Sequence, residues 1–193
     1  MQENYHEDHT FDTIDFTQEV LPTGDYENCR FIQCDFSSID LSDRKFADCE
    51  FTACNLSLAK LNRTAFRDII FKECKMLGLQ FDRCSQFGLA FTLDHCNLNH
   101  SSFYQTVLKK SRWSNSQFHE ADFTECDLSG GIFDECDFLH AHFEKTILEK
   151  ADLRTSLHYS IHPALNRIKK AKFSLSAITG LLDQYDIEID RSL

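Results

Sequence analysis

A five-residue beat runs through nearly the whole chain, and a period of five belongs neither to a helix, which repeats about every 3.6 residues, nor to a strand, which repeats about every two. From Phe31 in steps of five come Phe36, Leu41, Phe46, Phe51, Leu56, Leu61, Phe66, Phe71, Met76 and Phe81, and backwards come Tyr26, Leu21, Phe16 and Phe11. The beat resumes two residues out of phase at Leu98, with Leu93 as its candidate first member. It continues through Phe103, Leu108, Trp113, Phe118, Phe123, Leu128, Phe133, Phe138, Phe143, Leu148 and Leu153.

Two residues before each centre sits a small or thiol side chain, such as Cys29, Cys34, Ala59, Thr64, Ser101, Ala121 or Ala151. Residues two apart on an extended segment share a face, so the small residue and the large centre point inward together while their neighbours meet water. Likeness at twenty sets the number of sides per coil. Phe11, Phe31, Phe51 and Phe71 are all Phe, Leu21, Leu41 and Leu61 are all Leu, and Phe103, Phe123 and Phe143 repeat the pattern farther along. Four pentapeptides per coil follow, stacked at roughly the 4.8 Å spacing of adjacent strands, about seven coils in a rod roughly 35 Å long.

These residues resemble the pentapeptide-repeat family, whose consensus A-(D/N)-L-x-x is matched at Ala121-Asp122-Phe123, Cys126-Asp127-Leu128, Cys136-Asp137-Phe138 and Ala151-Asp152-Leu153. The resemblance implies an all-β, right-handed quadrilateral β-helix, in agreement with the four-sided coil. Residues 1–10 are expected to form a polar tail, 11–158 the β-helix, and 159–193 a loop, a last partial coil and a capping or dimerisation helix. The tail, Met1 to Thr10, is acidic and unlike a signal peptide, and no apolar run is long enough to span a membrane. A cytoplasmic protein is expected.

All nine cysteines, Cys29, Cys34, Cys49, Cys54, Cys74, Cys84, Cys96, Cys126 and Cys136, occupy the small inward position. Cysteine there acts as a small buried hydrophobe, and a separation of five puts neighbouring thiols on different sides of the coil, where they cannot converge on a metal. Cys34, Cys54 and Cys74 should stack one above another, and in a reducing cytosol they should stay thiols. No cofactor, metal or catalytic group is expected: a four-sided coil has no cleft, and no phosphate loop or catalytic elbow is present. Histidines such as His140 and His142 read as solvated, and the aspartates that follow small residues read as turn acceptors.

Three departures from the beat stand out. A two-residue insertion lies near Cys84 to Gly88, read as a corner bulge. Arg44 occupies an inward position, so Asp43-Arg44-Lys45 is expected to bulge outward and spare the guanidinium from burial. Ile178, Leu181, Leu182 and Tyr185 have helical spacing and predict an amphipathic helix near Ser176 to Tyr185, capped by Ser174 or Ser176, with a short strand at Ile187-Glu188-Ile189. Qnr-type members of the family end similarly and dimerise there, so the resemblance implies a homodimer through those four apolar residues.

The net charge of −11 fits a second implication of the Qnr and MfpA-type resemblance, that an acidic rod mimics DNA on DNA gyrase or topoisomerase IV and modulates quinolone sensitivity. Acids against bases number 13 against 3 over residues 1–50, 4 against 9 over 51–119 and 10 against 2 over 120–153. A mimic would use Asp122, Glu125, Asp127, Asp134, Glu135 and Asp137. A non-catalytic interaction scaffold would instead offer the basic band around Lys60, Arg63, Arg67, Lys72 and Lys75. Direct nucleic-acid binding is not expected. Shape follows from the repeat far more securely than target does, and the scaffold reading is preferred.

Overall fold

The computed structural model describes residues 5–185 and 187–190. The chain winds into a four-sided β-solenoid in which every strand pairs in parallel with its counterpart one coil away. On the first face nine strands stack, from Thr10–Asp12 to Lys172–Phe173. Their centres align as Phe11, Phe31, Phe51, Phe71, Leu93, Trp113 and Phe133, and Leu153 and Phe173 complete the stack. Nine rungs make about eight turns, one more than the sequence suggests.

Single-residue bridges define the second face, through Asp15, Asp35, Asn55, Lys75, Asn97, Gln117, Asp137 and Leu157. Asp40 with Lys60, and Gln80, Ser102, Asp122 and His142, mark the third. The fourth carries a four-stranded sheet of Tyr5–Glu7, Asp25–Glu27, Lys45–Ala47 and Ala65–Arg67, then the bridges Val107, Asp127, Ile147 and Arg167. The solenoid thus already includes Tyr5–Glu7, inside the segment read as tail.

Identical centres at a spacing of twenty give ring-on-ring columns. Phe31 lies 4.7 Å from Phe51 and Phe103 lies 4.8 Å from Phe123, nearly parallel, while rings of adjacent faces meet edge-on, as Phe31 and Phe36 do at 5.4 Å and 73°. Offset and edge-on contacts suit the ring quadrupole, and each ring removed from water contributes about 1.5–3 kcal/mol. Stacking one coil on the next replaces a globular core.

The small inward residues do more than fill space. Cys54 donates its thiol to the Phe31 carbonyl at 3.3 Å and Cys74 to that of Phe51 at 3.4 Å; Thr64 bonds the Leu41 carbonyl at 2.9 Å and Ser156 that of Phe133 at 2.7 Å. Cys, Ser and Thr interchange here because each is a compact donor aimed at a carbonyl of the coil below. Burial pushes the Cys49 and Cys136 thiols up to about 12, and all nine cysteines are free and buried. Thiols raised in this way are poor nucleophiles.

The residue two past most centres turns the corner with positive φ, as at Asp48 (51°), Ala53 (53°) and Leu58 (60°). Left-handed backbone costs an L-residue about 1–2 kcal/mol. The same turn sends the corner amide to a carbonyl one coil on, as from Asp48 to Arg67 and from Lys110 to Ser129, both at 2.9 Å. Aspartates before the centre accept the amide two residues ahead, Asp35 from Ser37 at 2.7 Å and Asp122 from Thr124 at 2.9 Å, in Asx turns that hold the corner.

Arg44 does not force a bulge. Lys45–Ala47 stays in register with both neighbouring strands, and the guanidinium donates to the Pro22 carbonyl at 2.6 Å and the Leu21 carbonyl at 3.2 Å. One coil earlier the same inward position is Gly24. The insertion lies where expected. Ile69 and Phe71 pair with Phe91 and Leu93, a step of 22 rather than 20. Phe87 is driven out to 79% exposure, and the Arg67 guanidinium stands 5.4 Å from its ring.

The C-terminal helix is not α-helical. Ile178–Leu181 and Asp183–Tyr185 are two short 3-10 turns. An α-helix would need the Gly180 carbonyl for residue 184, but the Ile161 amide claims it at 2.8 Å, and a Cβ on Gly180 would stand 1.9 Å from the Tyr159 carbonyl oxygen. Ser174 accepts the Ala177 amide at 3.3 Å, but Ala177 itself stands at the N-cap and no side chain caps the turn. Ile187–Ile189 forms no strand, and both isoleucines are exposed. No helix among the described residues is long and apolar enough to cross a membrane.

Candidate interaction surface

With inward positions committed to packing, chemistry is left to the outward residues and the four corners. The six acids singled out above do not share a face. Asp122 is on the third side, Glu125 on the corner after it, Asp127 on the fourth, Asp134 and Glu135 on the first and its far corner, and Asp137 on the second. A run of acids in sequence is wrapped around the whole perimeter, so no continuous negative stripe results.

Most of these carboxylates are also engaged within the chain. Burial tends to raise Asp127, but the Ser129 hydroxyl and amide and Lys109, at 3.2 Å, outweigh it and hold the carboxyl below its ordinary value. Burial likewise opposes ionisation of Asp137, and His158 at 2.9 Å, His119 at 3.1 Å and the Leu139 amide pull it down. Hydrogen bonding from Gln105 lowers Glu125, which Lys145 also approaches at 3.5 Å. Asp134 accepts from Thr155 at 2.7 Å.

The basic band is dispersed too. Arg63 is bidentate with Asp43 at 2.6 Å, Lys72 pairs with Glu50 at 2.7 Å, and Lys60 and Lys75 lie on the third and second faces. Of the apolar residues at the tail, Leu181 is buried against the rod, Ile178 packs on the core, Leu182 is half-buried and Tyr185 is 52% exposed. The tail therefore covers the open end of its own coil, as an exposed strand edge requires.

The insertion opens a cleft of about 370 Å³ on the corner between the fourth and first faces, lined by Asp68, Ile70, Ala90, Lys110 and Arg112 among others. Composition windows could not reveal this corner. The available signal is a column read every twenty residues, with the insertion stepped over.

Comparison with known proteins accords with this architecture. Residues 24–92 match the family described as Pentapeptide repeat region, and residues 92–124 and 121–156 match Pentapeptide repeats (8 copies). The chain belongs to the pentapeptide-repeat family. No curated protein matches this pentapeptide-repeat chain. Among solved structures, full-length QnrB1, described as a plasmid-mediated fluoroquinolone resistance protein, is 22% identical, with a TM-score of 0.46, covering 95% of this chain and 100% of its own. HetL, a pentapeptide repeat protein involved in heterocyst differentiation regulation from the cyanobacterium Nostoc sp. strain PCC 7120, is 18% identical, with a TM-score of 0.40, covering 88% of this chain and 85% of its own.

Proposed function

We propose that this pentapeptide-repeat chain is a non-catalytic scaffold that engages protein partners through its outward corner residues. The supporting observation is the division of charge: acids that a DNA mimic would align are spread over four sides and partnered within the chain, as Asp127 is by Lys109 and Asp137 by two histidines. A surrogate for duplex phosphate needs fixed negative charge along one continuous face. A gyrase supercoiling assay tests the choice. The scaffold reading expects no inhibition and no relief of fluoroquinolone inhibition at micromolar protein; either effect would reinstate the mimic.

A tail-to-tail dimer is a second reading, favoured by exposed Leu175, Tyr185, Ile187 and Ile189, the first at 89% exposure. Such a contact is apolar and should persist in high salt. Leu175→Asp with Tyr185→Asp is expected to halve the solution mass at high salt; a monomeric unmodified chain under those conditions would remove the reading.

A further inference from the structure

The corner between the fourth and first faces is divided by sign. Read rung by rung it is Asp8, Asn28, Asp48, Asp68, Ala90, Lys110, Gly130, Lys150 and Lys170. All but Ala90 have positive φ. The register places Ile69 beside Phe91, and Trp113 beside Leu93, so Ala90 falls between Asp68 and Lys110. Four rungs on one side carry three aspartates and an asparagine; four on the other carry three lysines and a glycine. Asp48, Asp68, Lys110, Lys150 and Lys170 are all exposed, and none makes an ion pair with another of the described residues.

We propose that two copies of this chain pair side by side and antiparallel along this corner, about a two-fold axis at Ala90. That operation sets Asp68 against the second copy's Lys110, Asp48 against its Gly130, Asn28 against its Lys150 and Asp8 against its Lys170, and repeats each contact in reverse. An isologous interface demands such self-complementarity. Of the like charges that the same axis brings together on the flank, Arg67 with Lys109 and Glu27 with Glu149, Lys109 and Glu149 are neutralised inside each chain. The Arg67 guanidinium faces the Phe87 ring, Lys109 pairs with Asp127 at 3.2 Å, and Glu149 pairs with Arg167 at 2.8 Å. Opposite charges on that flank, Glu7 and the second copy's Lys169, meet.

The insertion cleft sits at the axis, where Ile70, 39% exposed, faces the aliphatic stem of the second copy's Arg112. A strip roughly 38 Å long and about 12 Å wide on each copy buries on the order of 1,000 Å² in total, the low end for a specific interface. The pairing is therefore a salt-sensitive association, formed by long-range attraction and released by screening.

The test places one thiol on the axis. Full-length Ala90→Cys, oxidised with diamide at about 20 mM salt, is expected to give a disulfide-linked dimer, and to give far less at about 0.5 M salt. The nine native thiols are buried and do not compete. A folded Ala90→Cys chain that stays uncrosslinked at low salt overturns the proposal. Should that variant fail to fold, sedimentation decides. Lys110→Asp is expected to weaken low-salt association at least tenfold, and adding Asp68→Lys to restore it, because the two positions face each other across the axis. Weakening without restoration, or no weakening, would also overturn it.

Discussion

Two corners of the same rod, one carrying five charges and the other six, show how their order along the column leads to opposite behaviour. The corner between the third and fourth faces reads Asp43, Arg63, Arg83, Gln105, Glu125 and Lys145, and its neighbours in adjacent coils neutralise each other, Asp43 with Arg63 at 2.6 Å and Glu125 with Lys145 at 3.5 Å. The next corner, Asp8 to Lys170, segregates its signs to opposite ends, so no residue has an opposite charge one coil away. Alternation consumes charge inside the molecule. Segregation leaves it for a partner, and in a solenoid, where each rung contacts only its neighbours, the order of residues at a spacing of twenty decides which occurs.

Both corners ride on one rigid rod, and core truncation is the strongest perturbation of it. Phe51→Ala and Phe123→Ala remove fully buried, stacked rings on either side of the insertion and should each cost about 3–5 kcal/mol. Chemical denaturation is expected to show one cooperative transition in both variants; two separated transitions would mean that the insertion divides the rod. Arg44→Ala, beside the self-neutralised corner, leaves the Leu21 and Pro22 carbonyls without its guanidinium and should cost about 1–3 kcal/mol. Arg44→Lys should recover only part of this in a thermal melt, since an ammonium lacks the fork that spans two acceptors.

Acid sharpens the contrast more gently. Asp152, on the first face beside the segregated corner, is lowered from 3.8 to about 2, chiefly by Arg154, with Lys172 adding to it. Its folded value lies below its unfolded one, so its contribution is fully present above about pH 4 and is lost as pH falls toward 2. Asp152→Asn should flatten the pH dependence of the melting temperature within that window and leave the slope above pH 5 unchanged. The smallest effect is expected at the self-neutralised corner. Asp43→Asn breaks an exposed ion pair with Arg63 and should not measurably change stability or association.

The inward half of this molecule was legible because each centre and each small residue answers to one packing constraint that repeats every five and every twenty residues. Phe31, Phe51 and Phe71 announce their stack, and the two-residue slip between Phe81 and Leu98 announces the insertion. Arg44 misled because the partners that rescue it are the Leu21 and Pro22 backbone carbonyls, more than twenty residues away, which no side-chain pattern reveals. The helical spacing of Ile178, Leu181, Leu182 and Tyr185 was real, but the Ile161 amide takes the carbonyl that an α-helix would need. Charge was least legible. A window such as 120–153 sums residues from all four faces, whereas a partner meets one corner, and the residues that share it emerge only when the sequence is read every twenty residues with the insertion stepped over.

Small-angle scattering at low and high ionic strength distinguishes a paired from a single rod, because lateral pairing along the segregated corner changes the thickness of the particle rather than its length. At about 20 mM salt the cross-sectional area per particle should be about twice that at about 0.5 M, with a maximum dimension close to that of a single rod. A cross-section unchanged by salt would contradict the account.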